Sequence, residues 1–168
     1  GSTKEEKLFF IHGPQRSGKS TFLRALQAAL GTDYAHTCDF EAFLKHKITG
    51  GVKDDLANMR GKRLVVGVET ADGARLAEGL IKQVTGGDRI RARLLYANSF
   101  EFTPRFKLVF ASNERPKARD SDDAIWDRMV EVPFPNTDPQ AERDPRLKEL
   151  LCDEGEHSEA VLAWAVAG

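Results

Sequence analysis

The sequence predicts an α/β protein of the P-loop NTPase kind: a mainly parallel sheet flanked by helices, with a β-hairpin inserted between two of its strands. Three observations carry this. The apolar run Lys7–His12 (KLFFIH) ends on a Gly-rich turn and is followed by a helix-spaced segment, Lys19–Leu30. Two further runs, Arg63–Val68 (RLVVGV) and Lys107–Ala111 (KLVFA), are continuously apolar, the pattern of strands buried on both faces. Segments with helical periodicity alternate with these strands, as crossovers in a parallel sheet require.

In chain order, Gly31 stops the first helix. Asp39–Lys47 and Lys53–Met59 read as short helices on either side of the Thr49-Gly50-Gly51 turn. Ala74–Val84 is an amphipathic helix broken by Thr85-Gly86-Gly87-Asp88. Arg89–Leu95 and Ser99–Thr103 form the arms of a hairpin around Tyr96–Asn98. Met129–Pro133 supplies a last strand, and Leu147–Leu151 and Glu159–Val166 closing helices.

The length of 168 residues fits one domain. Gly1-Ser2 matches the scar of a cleaved tag, and a strand follows almost at once, so flanking domains are expected outside this chain. With 40% hydrophobic and 30% charged residues and a net charge of −1, the composition is that of a soluble globular protein without a global basic signature. Any nucleic-acid surface must therefore be local. Cys38 and Cys152 have no zinc-ligand spacing, which suits buried thiols in a reducing compartment. No run reaches membrane-spanning length and no signal-peptide pattern opens the chain, so no membrane partner and a cytoplasmic location, bacterial or phage-infected, are expected.

Gly13-Pro14-Gln15-Arg16-Ser17-Gly18-Lys19-Ser20 fits GxxxxGK[ST] between a strand and a helix, with Thr21 next in the helix. Glycines let backbone N–H groups turn towards phosphate oxygens, and the helix directs the positive end of its dipole at the same point. This chemistry calls for ATP and Mg²⁺, with Lys19 reaching the β- and γ-phosphates and the Ser20 hydroxyl holding the metal.

Residues ending the other strands decide what the loop is used for. Glu69 follows RLVVGV, where a carboxylate can orient or deprotonate a water beside the γ-phosphate; an ordinary strand-end Glu is the alternative. Asn113 follows Lys107–Ser112, where its amide can hold that water or a phosphate oxygen, or simply shape a turn. Arg128 precedes the last strand, where it can neutralise charge on a neighbouring subunit's γ-phosphate or form a surface salt bridge. Between Lys82 and Lys107 six basic residues face two acidic ones, a local net charge of +4. Arg89, Arg91 and Arg93 alternate, so one strand face would present them to phosphates, with Tyr96 near the turn to stack on an unpaired base. A solvated face guarding a hairpin edge gives the same pattern.

Taken together, these segments resemble the superfamily 3 helicases of the AAA+ class, in particular the helicase portion of phage and plasmid primase-helicases, a group related to the poxvirus primase-helicase. GPQRSGKSTFLRAL resembles the family's Walker A, GKRLVVGVET its Walker B, IKQVTGGDRIRARLLY its B′ segment, FKLVFASNERP its motif C and DDAIWDRMVEVPF its arginine-finger region; DPRLKELL and AVLAWAVAG resemble its C-terminal end. The resemblance implies an AAA+ domain, catalytic roles for Lys19, Glu69, Asn113 and Arg128, and single-stranded DNA contacts by Lys82, Arg89, Arg91, Arg93 and Tyr96. It also implies a homo-oligomeric ring, a hexamer, with a primase or other domain covalently attached. This sequence departs from the pattern twice: Val68 and Thr70 flank Glu69 where many members carry a second acid, and Tyr96-Ala97-Asn98 lacks the lysine common at the family's hairpin tips.

A small-molecule P-loop kinase is the competing enzyme, although no acceptor site or lid stands out. A nucleotide-dependent assembly module without unwinding is the competing non-motor.

Overall fold

The computed structural model describes residues 2–44, 52–68, 76–114, 123–137, 144–152 and 155–167. In chain order the elements are β1 (Leu8–His12), α1 (Lys19–Tyr34), β2 (Ala35–Asp39), a 3-10 turn (Phe40–Phe43), α2 (Val52–Asn58), β3 (Leu64–Val68), α3 (Glu78–Gly86), β4 (Ile90–Ala92), β5 (Phe100–Phe102), β6 (Lys107–Ser112), α4 (Asp123–Trp126), β7 (Met129–Pro133), α5 (Leu147–Cys152) and α6 (Glu156–Ala167). Among the described residues five strands form the main sheet in the order β2-β3-β6-β1-β7, each neighbouring pair parallel. β1 thus has partners on both sides where it hands the chain to the Gly-rich turn.

Period-two alternation sorts these strands into two core layers. Leu8 and Phe10 of β1, Val65 of β3, and Leu108 and Phe110 of β6 face α3 and the β4–β5 hairpin, where Ile81, Ile90 and Phe102 join them. Ile11, Val66, Val109 and Ala111 face the opposite way, towards Leu23 on α1. Phe110 is the hub of the first layer, with ring centroids 6.5 Å from Phe10, 4.8 Å from Phe40 and 5.3 Å from Phe43, all edge-to-face. Gly67 makes room for that ring, because a Cβ there would lie 2.7 Å from its Cδ1. α5 and α6 pack on α1, and Trp164 meets Phe22 edge-on at 6.4 Å.

Several expected boundaries move for tertiary reasons. β2 is a strand that no sequence pattern predicts, overlapping the expected Asp39–Lys47 helix only at Asp39: Ala35–Asp39 pairs in register with Leu64–Val68, and sheet pairing overrides the weak local pattern of AHTCD. The expected Asp39–Lys47 helix is reduced to the 3-10 turn, with 45–51 outside the described residues. α3 starts at Glu78 and not Ala74, because Leu76 bridges Leu44 and the Ala77 N–H donates to the Phe43 carbonyl at 2.6 Å. Gly31 does interrupt α1, with φ 69° and ψ 171°, but a further turn runs on to Tyr34. The hairpin arms are shorter than Arg89–Leu95 and Ser99–Thr103: Leu94 and Leu95 are exposed, and residues 93–99 form the connecting loop.

Candidate functional site

The P-loop occupies Gly13–Thr21, at the C-terminal end of β1 and running into α1. Its first residue sits under the chain leaving β7: the Phe134 N–H donates to the His12 carbonyl at 2.7 Å, and a Cβ on Gly13 would run into the Phe134 carbonyl. A side chain at position 13 is thus excluded by backbone. Gly18 caps α1 in the left-handed region at φ 89°, where only glycine is unstrained, and the first helical hydrogen bond runs from the Phe22 N–H to the Gly18 carbonyl at 2.9 Å. Arg16 also adopts a positive φ of 66°, a non-glycine strain of the kind found in ligand-binding turns.

Lys19 is 7% exposed, and its Nζ donates to the carbonyls of Gly13 at 2.7 Å and Pro14 at 2.8 Å and to Ser17 Oγ at 3.3 Å. These bonds stretch the side chain back over the loop, holding the ammonium at its centre. Burial lowers the Lys19 pKa from its ordinary value. Pro14, Gln15, Arg16 and Ser20 are exposed, so the outer wall of the loop is open to a ligand. The N–H groups of the first α1 turn lack helical acceptors, and with the buried ammonium they make a cradle suited to phosphate oxygens. The chemistry of this donor set fits a nucleoside triphosphate, and the Ser20 hydroxyl fits a hard cation carried with it.

Asn113 follows directly on β6, and because Ser112 pairs with His12 it stands level with Gly13 at the mouth of the loop. Glu69 lies outside the described residues; β3 ends at Val68, opposite Ala111. A cavity of about 800 Å³, not foreseen from the sequence, adjoins the loop at Arg16, Gly18 and Thr21 and runs between Phe22 on α1 and Leu151 and Trp164 on the closing helices. Only the packing of α5 and α6 against α1 creates it.

Arg128 lies at the opposite end of the strands, just before β7, which pairs with β1. Its carbonyl accepts from the Leu8 N–H at 2.9 Å at the start of β1, while the P-loop begins five residues further along that strand, roughly 16 Å away at about 3.3 Å per residue. Its guanidinium is fixed at that end: Nη2 lies 2.7 Å from Glu6 Oε2 and Nη1 donates to Thr85 Oγ1 at 3.0 Å. These contacts hold the Arg128 guanidinium away from its own P-loop.

The basic residues divide. Arg89, Arg91 and Arg93 are exposed while Ile90 and Ala92 between them are buried, which is the expected alternation, although only Arg91 lies within β4 itself. Arg91 donates to Ser99 Oγ through Nε at 3.2 Å and Nη2 at 2.9 Å, and a cleft of about 480 Å³ is lined by Arg91, Arg93, Asn98 and Ser99. Tyr96 is 98% exposed with φ 60°. Lys82 sits on α3 in an ion pair with Glu78 at 2.5 Å and does not line that cleft. No helix among the described residues is long and apolar enough to cross a membrane.

Relatives place this architecture. The chain is 31% identical over 135 residues to "Putative helicase L207/L206" of Acanthamoeba polyphaga mimivirus, covering 80% of this chain and 14% of that protein. It is 30% identical over 164 residues to "Putative helicase 121R" of Invertebrate iridescent virus 3, covering 91% of this chain and 17% of that protein. The chain thus spans less than a fifth of the length of these relatives. Among solved structures, the apo C-terminal region of NrS-1 superposes with a TM-score of 0.70 at 14% identity, over 95% of this chain and 36% of that one. JCV helicase superposes with a TM-score of 0.51 at 15% identity, over 96% of this chain and 42% of that one. The likeness to these structures is one of fold, a mainly parallel sheet flanked by helices. Residues 11–128, from the end of β1 to Arg128, match the family of unknown function DUF5906, and the chain belongs to that family.

Proposed function

We propose that this chain is the ATP-hydrolysing motor of a replicative helicase of the primase-helicase type, moving on single-stranded DNA as a closed ring, a hexamer, with nucleotide held between subunits. The observation that carries it is the separation of the two cationic groups: Lys19 sits in a formed P-loop at the C-terminal end of β1, and Arg128 is pinned at the opposite, N-terminal end of the neighbouring β7. A head-to-tail neighbour brings such ends together, and a repeated head-to-tail contact whose rotation closes forms a ring.

In this reading the loop Gly13–Thr21 holds the phosphate oxygens through its backbone N–H groups, which every residue but Pro14 has, and Lys19 balances their charge. Ser20 holds Mg²⁺, which when bound withdraws charge from the phosphates. Glu69 orients the attacking water, Asn113 holds it or a γ-phosphate oxygen, and the neighbour's Arg128 offsets developing charge. The hairpin residues Arg89, Arg91 and Arg93 meet DNA phosphates and Tyr96 stacks on a base, with Lys82 in a supporting position. A primase or other domain joins the motor in the longer protein, as the small share of its relatives' length that the chain covers allows.

The test is ATP turnover with and without single-stranded DNA across protein concentration. Turnover that rises with both DNA and protein concentration is expected. Phosphate transfer to a small acceptor, independent of DNA, would replace the motor by a kinase.

A further inference from the structure

Two polar side chains are buried among the described residues, Lys19 and Thr85, and the proposed chemistry uses only the first. Thr85, 3% exposed in the last turn of α3, donates its hydroxyl proton to the Ile81 carbonyl at 2.7 Å. A hydroxyl has one proton, so the oxygen is left to accept, and it accepts from Arg128 Nη1 at 3.0 Å. Glu6 holds Nη2 at 2.7 Å, so the guanidinium is gripped at both ends of its fork. The grip is local and braced. The Glu6 N–H closes a turn on the Thr3 carbonyl at 2.9 Å, and Gly87, at φ 79°, brings its backbone so near that a Cβ would lie 2.8 Å from Thr3 Oγ1. From Gly87 the chain enters β4 at Ile90, so one short turn joins the partner of Arg128 to the root of the basic hairpin.

We propose that Thr85 is a positioning residue for Arg128, and that the Thr85–Gly87 turn links the guanidinium to the β4–β5 hairpin, so that single-stranded DNA on the hairpin raises turnover at the neighbour's nucleotide through the Arg128–Thr85 hydrogen bond. This rests on the motor reading above. Arg128 alone is too long and flexible a side chain to hold a fixed fork without such partners. A hairpin displaced by DNA pulls on the end of α3, and the bond passes that displacement to the guanidinium.

Thr85→Val keeps the branched shape and removes the acceptor; Thr85→Ser restores it. Steady-state ATPase is measured with and without saturating oligo-dT, alongside direct ATP and DNA binding. The expected result for Thr85→Val is parent-like ATP and DNA affinity and KM, with DNA-stimulated kcat lowered on the order of ten-fold, and recovered in Thr85→Ser. A parent-like DNA-stimulated kcat in Thr85→Val, or no recovery in Thr85→Ser, overturns the inference while leaving the motor reading intact. If Thr85→Val does not fold, Glu6→Gln serves, since Glu6 is half-exposed: a loss confined to kcat supports the positioning cradle and an unchanged kcat overturns it. A parent protein that hydrolyses no ATP sinks the motor reading, and this inference with it.

Discussion

A buried lysine is tolerated at position 19 because three oxygens of its own loop surround the ammonium, so removing the charge empties the centre of the cradle without opening the core. Lys19→Ala is expected to lose at least about 10²-fold in ATP turnover while its circular dichroism stays that of the parent, as measured by phosphate release on the folded variant. Cys38 makes a different kind of statement. Burial, with Asp55 and Asp39 adding to it, pushes its thiol from 9.0 up to about 12, so the folded protein keeps a proton that the unfolded chain gives up. The sign follows: above about pH 9 the unfolded state binds fewer protons, and stability falls as pH rises towards 12. Urea unfolding of the parent should lose about 1 kcal/mol between pH 9 and pH 10 relative to Cys38→Ala. Equal slopes would mean the thiol is not held protonated. At this scale the sequence was most informative where chemistry fixes residue type and spacing together, as in Gly13–Ser20, and least where partners lie far apart, as with Arg128 and its contacts Glu6 and Thr85.

Three of the strands that could be read in advance, Leu8–His12, Leu64–Val68 and Lys107–Ser112, are the central ones, whose burial on both faces writes a continuous apolar run; Met129–Pro133, also read in advance, is an edge strand. β2, an edge strand of AHTCD, carries no such run and owes its form to pairing with β3, which local composition does not record. Within the central strands Gly67 has a job that periodicity does not show, since it seats the Phe110 ring against three other phenylalanines. Gly67→Ala is expected to destabilise the fold by about 1–3 kcal/mol, because the ring it meets has no free space to move into. Chemical denaturation measures this, and a parent-like midpoint would show that the layer can yield. The hairpin belongs to this scale too. Replacing Arg91 and Arg93 by Ala should weaken single-stranded DNA binding and reduce the magnitude of its log–log salt slope by about 1–2, with DNA-free ATP affinity unchanged. Titrations at several salt concentrations decide it; an unaltered slope places the strand elsewhere.

For the whole molecule, the consequence of the topology is that the proposed site residues fall at opposite ends of the sheet's strands. The P-loop and Asn113 gather at the C-terminal ends of β1 and β6, and Arg128 with its cradle stands at the N-terminal end of β7. A single copy does not bring these together, so hydrolysis is expected to require a neighbour. The most direct measurement mixes Arg128→Ala with Lys19→Ala, each inactive alone, under conditions where size-exclusion with light scattering confirms mixed assemblies. An interface that joins the intact P-loop of the first variant to the intact Arg128 of the second should regain turnover, because a properly placed arginine contributes on the order of 10³–10⁵ in rate. Recovered ATPase in the mixture is the expected result; an Arg128→Ala protein that is fully active by itself in assembled form would contradict the shared site.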